Sequence, residues 1–446
     1  MRCLRTNLTI PLGGLMWKVN RMITRKIWLV FLLIAAATPA ARAQINCTAS
    51  GGNSGKLSCL IPTAVTLPGY TFSNLSANPQ FQNSFGFLTA DVGGEISQIP
   101  LASPASGIIF TIDPTLKVPV PSDQSLGPIL TQRADTIGRH KLYLAATYQY
   151  FLLEDVDGLS LKNIPAVFSF NSNSPSETVF PDTVGVTNGR IDLKIHQFVG
   201  YVTYGLTSRI DISAAIPILR VDMRYTVNEE LFTATGGGTN LQTSKAEEAN
   251  GIGDVILAIK GNLWKLEKGG GLAIGAELRL PSGDAANFLG SGTIGGKPFA
   301  AFTYGGRVSP HANIAYQING NTKLVTGANG GNGPLPDRLI YSGGADWRVA
   351  PRLTIAADIL EQRVINAQRV TLESKVPAFP NNPSSTLIIP SAVATTNGSY
   401  NRTDGSIGLK VKPFGNLIVT GNLLVKLDQG GLRQRLAPMI GLSYSF

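Results

Sequence analysis

The chain is 446 residues long, 43% hydrophobic and only 15% charged, against about 25% charged residues in soluble proteins. Its one uninterrupted apolar run, Ile27 to Ala37, spans 11 residues; a membrane helix needs about 20, so helical membrane bundles are excluded, along with disordered, collagen-like and disulfide-framework classes. The formal charge of +10 falls to +3 once the seven basic residues before position 44 are set aside, leaving 31 basic against 28 acidic residues, and the electrostatic case for a nucleic-acid partner goes with it.

The first element reads as an export signal. Arg25 and Lys26 precede the apolar run, and Ala41-Arg42-Ala43 offers small residues at the two positions a signal peptidase reads. Residues 1–43 are therefore expected to be removed, with Met22 an alternative start, and the mature chain is expected to begin near Gln44. Export leads to an oxidising compartment, where Cys47 and Cys59 are expected to close a disulfide around Gly51, Gly52 and Gly55. His140, His196 and His311 are far apart with no ligand spacing, so no metal and no cofactor is expected.

Residues 44–138 form the next region, where Pro100, Pro104, Pro114, Pro119, Pro121 and Pro128 interrupt each apolar stretch. The region reads as a plug folded into a barrel lumen, as a periplasmic extension, or as a plug whose Gly107 to Ile112 stretch pairs as an extra strand. The plug is favoured, because a wide barrel needs its lumen filled.

From residue 139 onward, stretches of about ten residues alternate apolar with small or polar and then break at Gly, Pro or Asn. Leu142, Leu144, Ala146, Tyr148 and Tyr150 oppose Lys141, Tyr143, Ala145, Thr147 and Gln149; Leu272, Ile274, Ala276, Leu278 and Leu280 oppose Glu277 and Arg279. Twelve strands are predicted, near 139–152, 190–204, 208–226, 251–266, 270–281, 295–304, 308–319, 338–349, 352–366, 403–413, 416–427 and 434–446. Tight turns at Gly205-Leu206-Thr207, Glu267-Lys268-Gly269, Gly305-Gly306-Arg307, Ala350-Pro351 and Phe414-Gly415 alternate with long polar links. Short links on one side and long ones on the other are the pattern of an outer-membrane barrel. The fold class is thus all-β: a transmembrane antiparallel β-barrel over residues 139–446, of twelve strands, or fourteen if the N-terminal region joins.

Aromatic placement agrees. Tyr201, Tyr204, Trp264, Tyr304 and Trp347 fall beside the tight turns, and Tyr150, Tyr225, Tyr316 and Tyr341 towards the opposite ends, although Trp264 falls on the face predicted to be internal. The last segment, Met439 to Phe446, resembles the C-terminal insertion signal of bacterial outer-membrane proteins through Gly441, Tyr444 and the terminal Phe446. That resemblance implies the bacterial outer membrane as location, with its lipid and the barrel-assembly machinery as partners.

The wet face carries Lys141, Lys194, Asp211, Asp254, Lys260, Glu277, Arg279, Asp346, Arg348, Arg352, Asp358, Lys410, Lys412 and Lys426. Charges of both signs on neighbouring strands are expected to pair as a ladder lining the lumen, which stiffens the barrel and sets pore polarity. The usual catalytic motifs are missing: there is no Gly-x-Ser-x-Gly elbow, no His-Glu-x-x-His site and no phosphate loop ending in Gly-Lys-Ser/Thr. A barrel-embedded hydrolase built on His196 is the weaker reading beside a lone lumen histidine, and the chain is not expected to be an enzyme.

Three stretches carry a family resemblance: Gly251-Ile252-Gly253-Asp254-Val255-Ile256-Leu257-Ala258-Ile259-Lys260, Leu278-Arg279-Leu280-Pro281-Ser282-Gly283-Asp284, and Gly290-Ser291-Gly292. With Tyr204-Gly205-Leu206-Thr207 before an alternating strand, they resemble the outer-membrane family named for the meta-pathway of phenol degradation, relatives of the fatty-acid outer-membrane channel. The resemblance covers residues 190–446 and implies passage of small hydrophobic or aromatic compounds through the outer membrane. It carries over no substrate residue. A general diffusion porin is the alternative, with a purely structural surface protein behind it.

Overall fold

The computed structural model describes residues 55–61, 92–103, 110–112, 119–121, 125–170, 183–233, 238–267, 269–326, 331–377 and 388–446. The expected signal peptide and Cys47 lie outside them; Cys59 is disulfide-bonded.

Alternating stretches become twelve long strands: β1 (Leu142–Val156), β2 (Thr183–Gly205), β3 (Ile210–Thr233), β4 (Ile256–Lys265), β5 (Gly270–Arg279), β6 (Gly295–Tyr304), β7 (Val308–Asn319), β8 (Asp337–Ala350), β9 (Leu353–Pro377), β10 (Ile388–Val411), β11 (Leu417–Lys426) and β12 (Leu436–Ser445). Each pairs antiparallel with its neighbours in chain order, and β12 pairs with β1 through Leu442 opposite Ala146, which closes the ring. Closure removes the free edges that an open sheet would expose. The N-terminal region adds no strand to it among the described residues: Phe110–Ile112 pairs with Pro119–Pro121 in a sheet of its own. The ring therefore has twelve strands, and the fourteen-strand alternative is excluded.

Outward positions are apolar and exposed, as at Ile212, Ile259, Ile274, Ile314, Ile407 and Ile440, while the alternate positions Asp211, Lys260, Ala273, Asp346, Ser406 and Lys410 are buried inside. A closed barrel with an apolar outer band and polar interior is a transmembrane barrel.

Several sequence expectations are corrected. The fourth strand starts at Ile256, because residues 253–255 break the pairing, and the preceding Gly238–Ile252 strand pairs with the upper part of β3. Trp264 faces outward: the β4–β5 register shifts between Leu272 and Ala273, and this bulge exposes both Leu263 and Trp264. Tyr201 and Tyr225 are buried inside and belong to no girdle, whereas Tyr304, Tyr316, Tyr341, Trp347 and Trp264 are exposed. β2, β3, β9 and β10 run well past their predicted ends on the long-loop side, where on β2 and β3 the exposed Asn188 and Asn228 alternate with the buried Thr187 and Val227.

The tight-turn end is pinned by glycine where backbones approach. At Gly271 φ is +125°, and an added Cβ would stand 1.7 Å from the Trp264 carbonyl oxygen, so no other residue fits the start of β5. At the seam, Phe446 N donates to the Leu142 carbonyl (2.8 Å) and its ring packs 4.6 Å from that of Tyr444.

Candidate functional site in the barrel lumen

Residues 125–138 cross the tight-turn half of the lumen as irregular chain, and inward side chains of the barrel satisfy their backbone. Lys410 donates to the carbonyls of Leu126 (3.2 Å) and Pro128 (2.6 Å), and Lys260 to those of Arg133 (2.9 Å) and Asp135 (2.7 Å). Asn262 donates to Ala134 O at 2.8 Å, and Asn313 both donates to and accepts from Gln132. The amides of Leu126, Ala134 and Ile137 donate to Thr354, Thr303 and Asp211. A buried irregular backbone would otherwise leave its polar groups unpaired at considerable cost.

Beside this segment His311 is wedged between two carboxylates, Nδ1 at 3.2 Å from Asp346 and Nε2 at 2.5 Å from Asp358. Ser125 bonds Asp346, and Thr131 donates to Asp358 at 3.3 Å, so the lumen segment is held to the same cluster.

Higher up, residues 92–96 make one helical turn whose Glu95 is 4% exposed. Its Oε1 accepts from Arg338 (2.8 Å) and from the Tyr400 hydroxyl (2.8 Å), and its Oε2 accepts from Arg402. Burial alone would raise the carboxyl, but Arg338, Arg402 and Tyr400 together bring it down from 4.5 to about 2. Asp404 bridges Arg402 to Arg433, and Arg433 reaches Asp428 at 3.5 Å. Around this network the lumen is apolar, with Leu57, Leu60, Val92 and Ile96 packed against barrel residues such as Phe151, Leu193 and Leu219 and against loop residues such as Phe288 and Leu289.

The three stretches of the family resemblance meet in one place. Asp254, in the break before β4, accepts from Ser291 N (2.8 Å) and Ser291 Oγ (2.5 Å) through Oδ2 and from Gly283 N (3.1 Å) through Oδ1, with Arg279 Nε at 3.7 Å. Ser282 donates to Gly253 O (2.7 Å). A Cβ on Gly290 would come within 2.3 Å of Asp254 Oδ1. One carboxylate thus folds the 280–294 link inward over the barrel mouth, and the motif is structural.

Between residues 96–103, residues 130–132 and the wall of β2 to β9 lies a cavity of about 200 Å³. Leu219, Ile256, Phe299 and Leu130 give it an apolar wall, while Gln98, Gln317, Gln362 and the Glu277–Lys297 ion pair (2.6 Å) give it a polar side.

Most of the expected lumen charges are inside. Asp211, Asp254, Lys260, Arg279, Asp346, Asp358 and Lys410 are buried, and Lys141, Glu277, Arg348 and Lys426 are half-buried on the inward phase. Their partners differ from a cross-strand ladder: Lys260 and Lys410 mainly serve the backbone of the lumen segment, Asp254 serves a loop, and Lys426 reaches Asp155 on β1 across β12. Lys194 is a correction, since it is exposed on the outer face with His196, and Arg352 and Lys412 lie in tight turns. His196 is likewise no lumen residue; its ring bonds the Tyr148 hydroxyl (2.8 Å) and stands 3.7 Å from Asp222. Glu95, Arg338, Tyr400, Arg402 and Arg433 are the residues that sequence reasoning missed. The only sequence sign was the Arg402-x-Asp404 alternation entering a predicted strand.

Residues 172–359 match the family described as "Putative MetA-pathway of phenol degradation". The family read from the sequence is the one that matches. No curated protein matches the chain. Among solved structures, the fold is similar to an outer membrane channel from Pseudomonas putida F1, with 12% identity, 70% of this chain and 98% of that one covered, and a TM-score of 0.37. It is also similar to the P. putida toluene transporter TodX (11% identity, 69% and 89% covered, TM-score 0.34). A Pseudomonas aeruginosa FadL homologue is a third, at 9% identity, 76% and 94% covered, and a TM-score of 0.31.

Proposed function

We propose that the protein is an outer-membrane channel for passive uptake of small hydrophobic or aromatic compounds, with residues 44–138 as its plug and the tight turns in the periplasm. The observation that carries this reading is the lumen cavity of about 200 Å³ with its apolar wall; a buried apolar cavity of about 150 Å³ is enough to take up benzene. The filled lumen speaks against a general porin, whose interior is a water-filled channel. Gly441, Tyr444 and Phe446 serve insertion by the barrel-assembly machinery in this reading.

The test is reconstitution of the full chain in liposomes with toluene, a medium-chain fatty acid and a sugar as solutes. Uptake of the first two above protein-free liposomes, without the sugar, is the expected result. Sugar uptake at a matching rate would make the protein a general porin, and uptake of none of the three would defeat the channel.

A further inference from the structure

The Glu95 site has the composition of a ligand site whose ligand is part of the chain. Three donors from two neighbouring regions of the wall, Arg338 on β8 and Tyr400 and Arg402 on β10, converge on one carboxylate, and both arginines are 2% exposed. The remaining anions are already committed. Asp404 is shared between Arg402 and Arg433, and the other side-chain partner of Arg338 is a neutral amide, Gln362 Oε1 at 2.9 Å. With Glu95 gone, Arg338 would be a buried guanidinium without a carboxylate, a strongly unfavourable state that an incoming anion would relieve.

The chain that supplies Glu95 also separates this site from the cavity. Residues 96–103 directly follow it and line the cavity, and Gln362 both holds Arg338 and faces the cavity. Displacing that stretch would join the apolar wall of Leu219, Ile256 and Phe299 to a pair of arginines with a tyrosine hydroxyl. The joined space fits a molecule with a small apolar body and one carboxylate.

We propose that Arg338, Tyr400 and Arg402 form a binding site for the carboxylate of a small aromatic or aliphatic acid, with Glu95 occupying it in the resting chain. Arrival of the acid exchanges one carboxylate for another, so the buried arginines stay neutralised while the 92–103 stretch leaves the lumen path. The inference rests on the uptake reading only in treating the cavity as part of that path.

The experiment is chemical rescue in detergent. Glu95→Ala is expected to melt below the parent, and benzoate to raise its melting temperature by a few degrees with saturation, while benzyl alcohol, the same ring without charge, does not. The benzoate response is expected to vanish in Glu95→Ala/Arg402→Gln. No shift with benzoate, or an equal shift with benzyl alcohol, would overturn the site. Should Glu95→Ala fail to insert, Ser97→Cys in the otherwise unchanged chain supplies the second measurement. Benzoate is expected to speed maleimide labelling of that thiol severalfold over benzyl alcohol, and equal rates would overturn the proposal. Toluene uptake by liposomes without benzoate rescue would remove the carboxylate site and spare the channel; rescue without uptake of any solute would do the reverse.

Discussion

The two halves of the lumen are filled by the same N-terminal region in opposite ways. In the tight-turn half, residues 125–138 are irregular backbone, and the barrel answers with Lys260, Asn262, Asn313, Thr303, Thr354 and Lys410, one side chain for nearly each exposed carbonyl or amide. In the long-loop half, Leu57, Leu60, Val92 and Ile96 bury side chains against an apolar wall, and one carboxylate, Glu95, carries the charge. The first arrangement spreads its attachment over many bonds of modest net worth. The second concentrates it in one ion cluster whose members cannot be removed singly without leaving a buried charge behind. Outside the buried His311 and Lys260 pairs of the lower half, a single change should therefore loosen the upper half more readily than the lower.

The sharpest break is Arg402→Ala, which strips Glu95 and Asp404 of a shared partner. It is expected to cost about 3–5 kcal/mol, read as loss of denaturant resistance of the folded barrel on unboiled gels. Next is a control outside both halves. Arginine at Ile274, exposed on the outer band, is expected to cost about 2–4 kcal/mol if placed near the bilayer midplane; unchanged stability would contradict the outward phase of β5. Asn262→Leu leaves the Ala134 carbonyl without its side-chain donor and is expected to cost about 1–3 kcal/mol, with protease cleavage near residue 134 rising only slightly because neighbouring bonds hold.

The Glu95 cluster is also open to a test by pH. Because the folded-state pKa of Glu95 is lowered from 4.5 to about 2, its contribution is complete above about 4.5 and fades as pH falls towards about 2. The melting-temperature gap between the parent and Glu95→Gln is expected to be widest at neutral pH and to close over that acid window. A gap that widened in acid would reverse the assignment.

The barrel was legible because its outer rows are apolar at period two and its turns alternate short with long; each of the twelve ring strands overlaps a predicted one, although four run longer and the fourth starts later. What escaped was decided by partners distant in sequence. Trp264 turns outward through a bulge that no local residue type announces, and β2 and β3 continue past residues 190 and 226 by pairing with each other, from Arg190 opposite Thr226 to Thr183 opposite Thr233. The lumen charges were found as a set, but their roles were not, since Lys410 and Lys260 answer to residues 126–135 and Asp254 to a loop 37 residues on. Glu95 lies in a stretch with no strand periodicity, so only the fold brings it to residues more than two hundred positions away.

Residues 55–61 sit at the long-loop mouth, where Lys56 meets Asp284 (2.9 Å) and Leu57 N meets Asn287 (3.2 Å); residues 125–138 sit at the opposite mouth and lead straight into β1. The chain is thus threaded through a ring that it closes itself, like a cord through a bead to which one end of the cord is fastened. Since β1 is also one side of the closing seam, the ring must form around the cord, or the cord must be drawn through afterwards. What fills the lumen is therefore covalently part of the wall that encloses it, joined to β1 through residues 139–141.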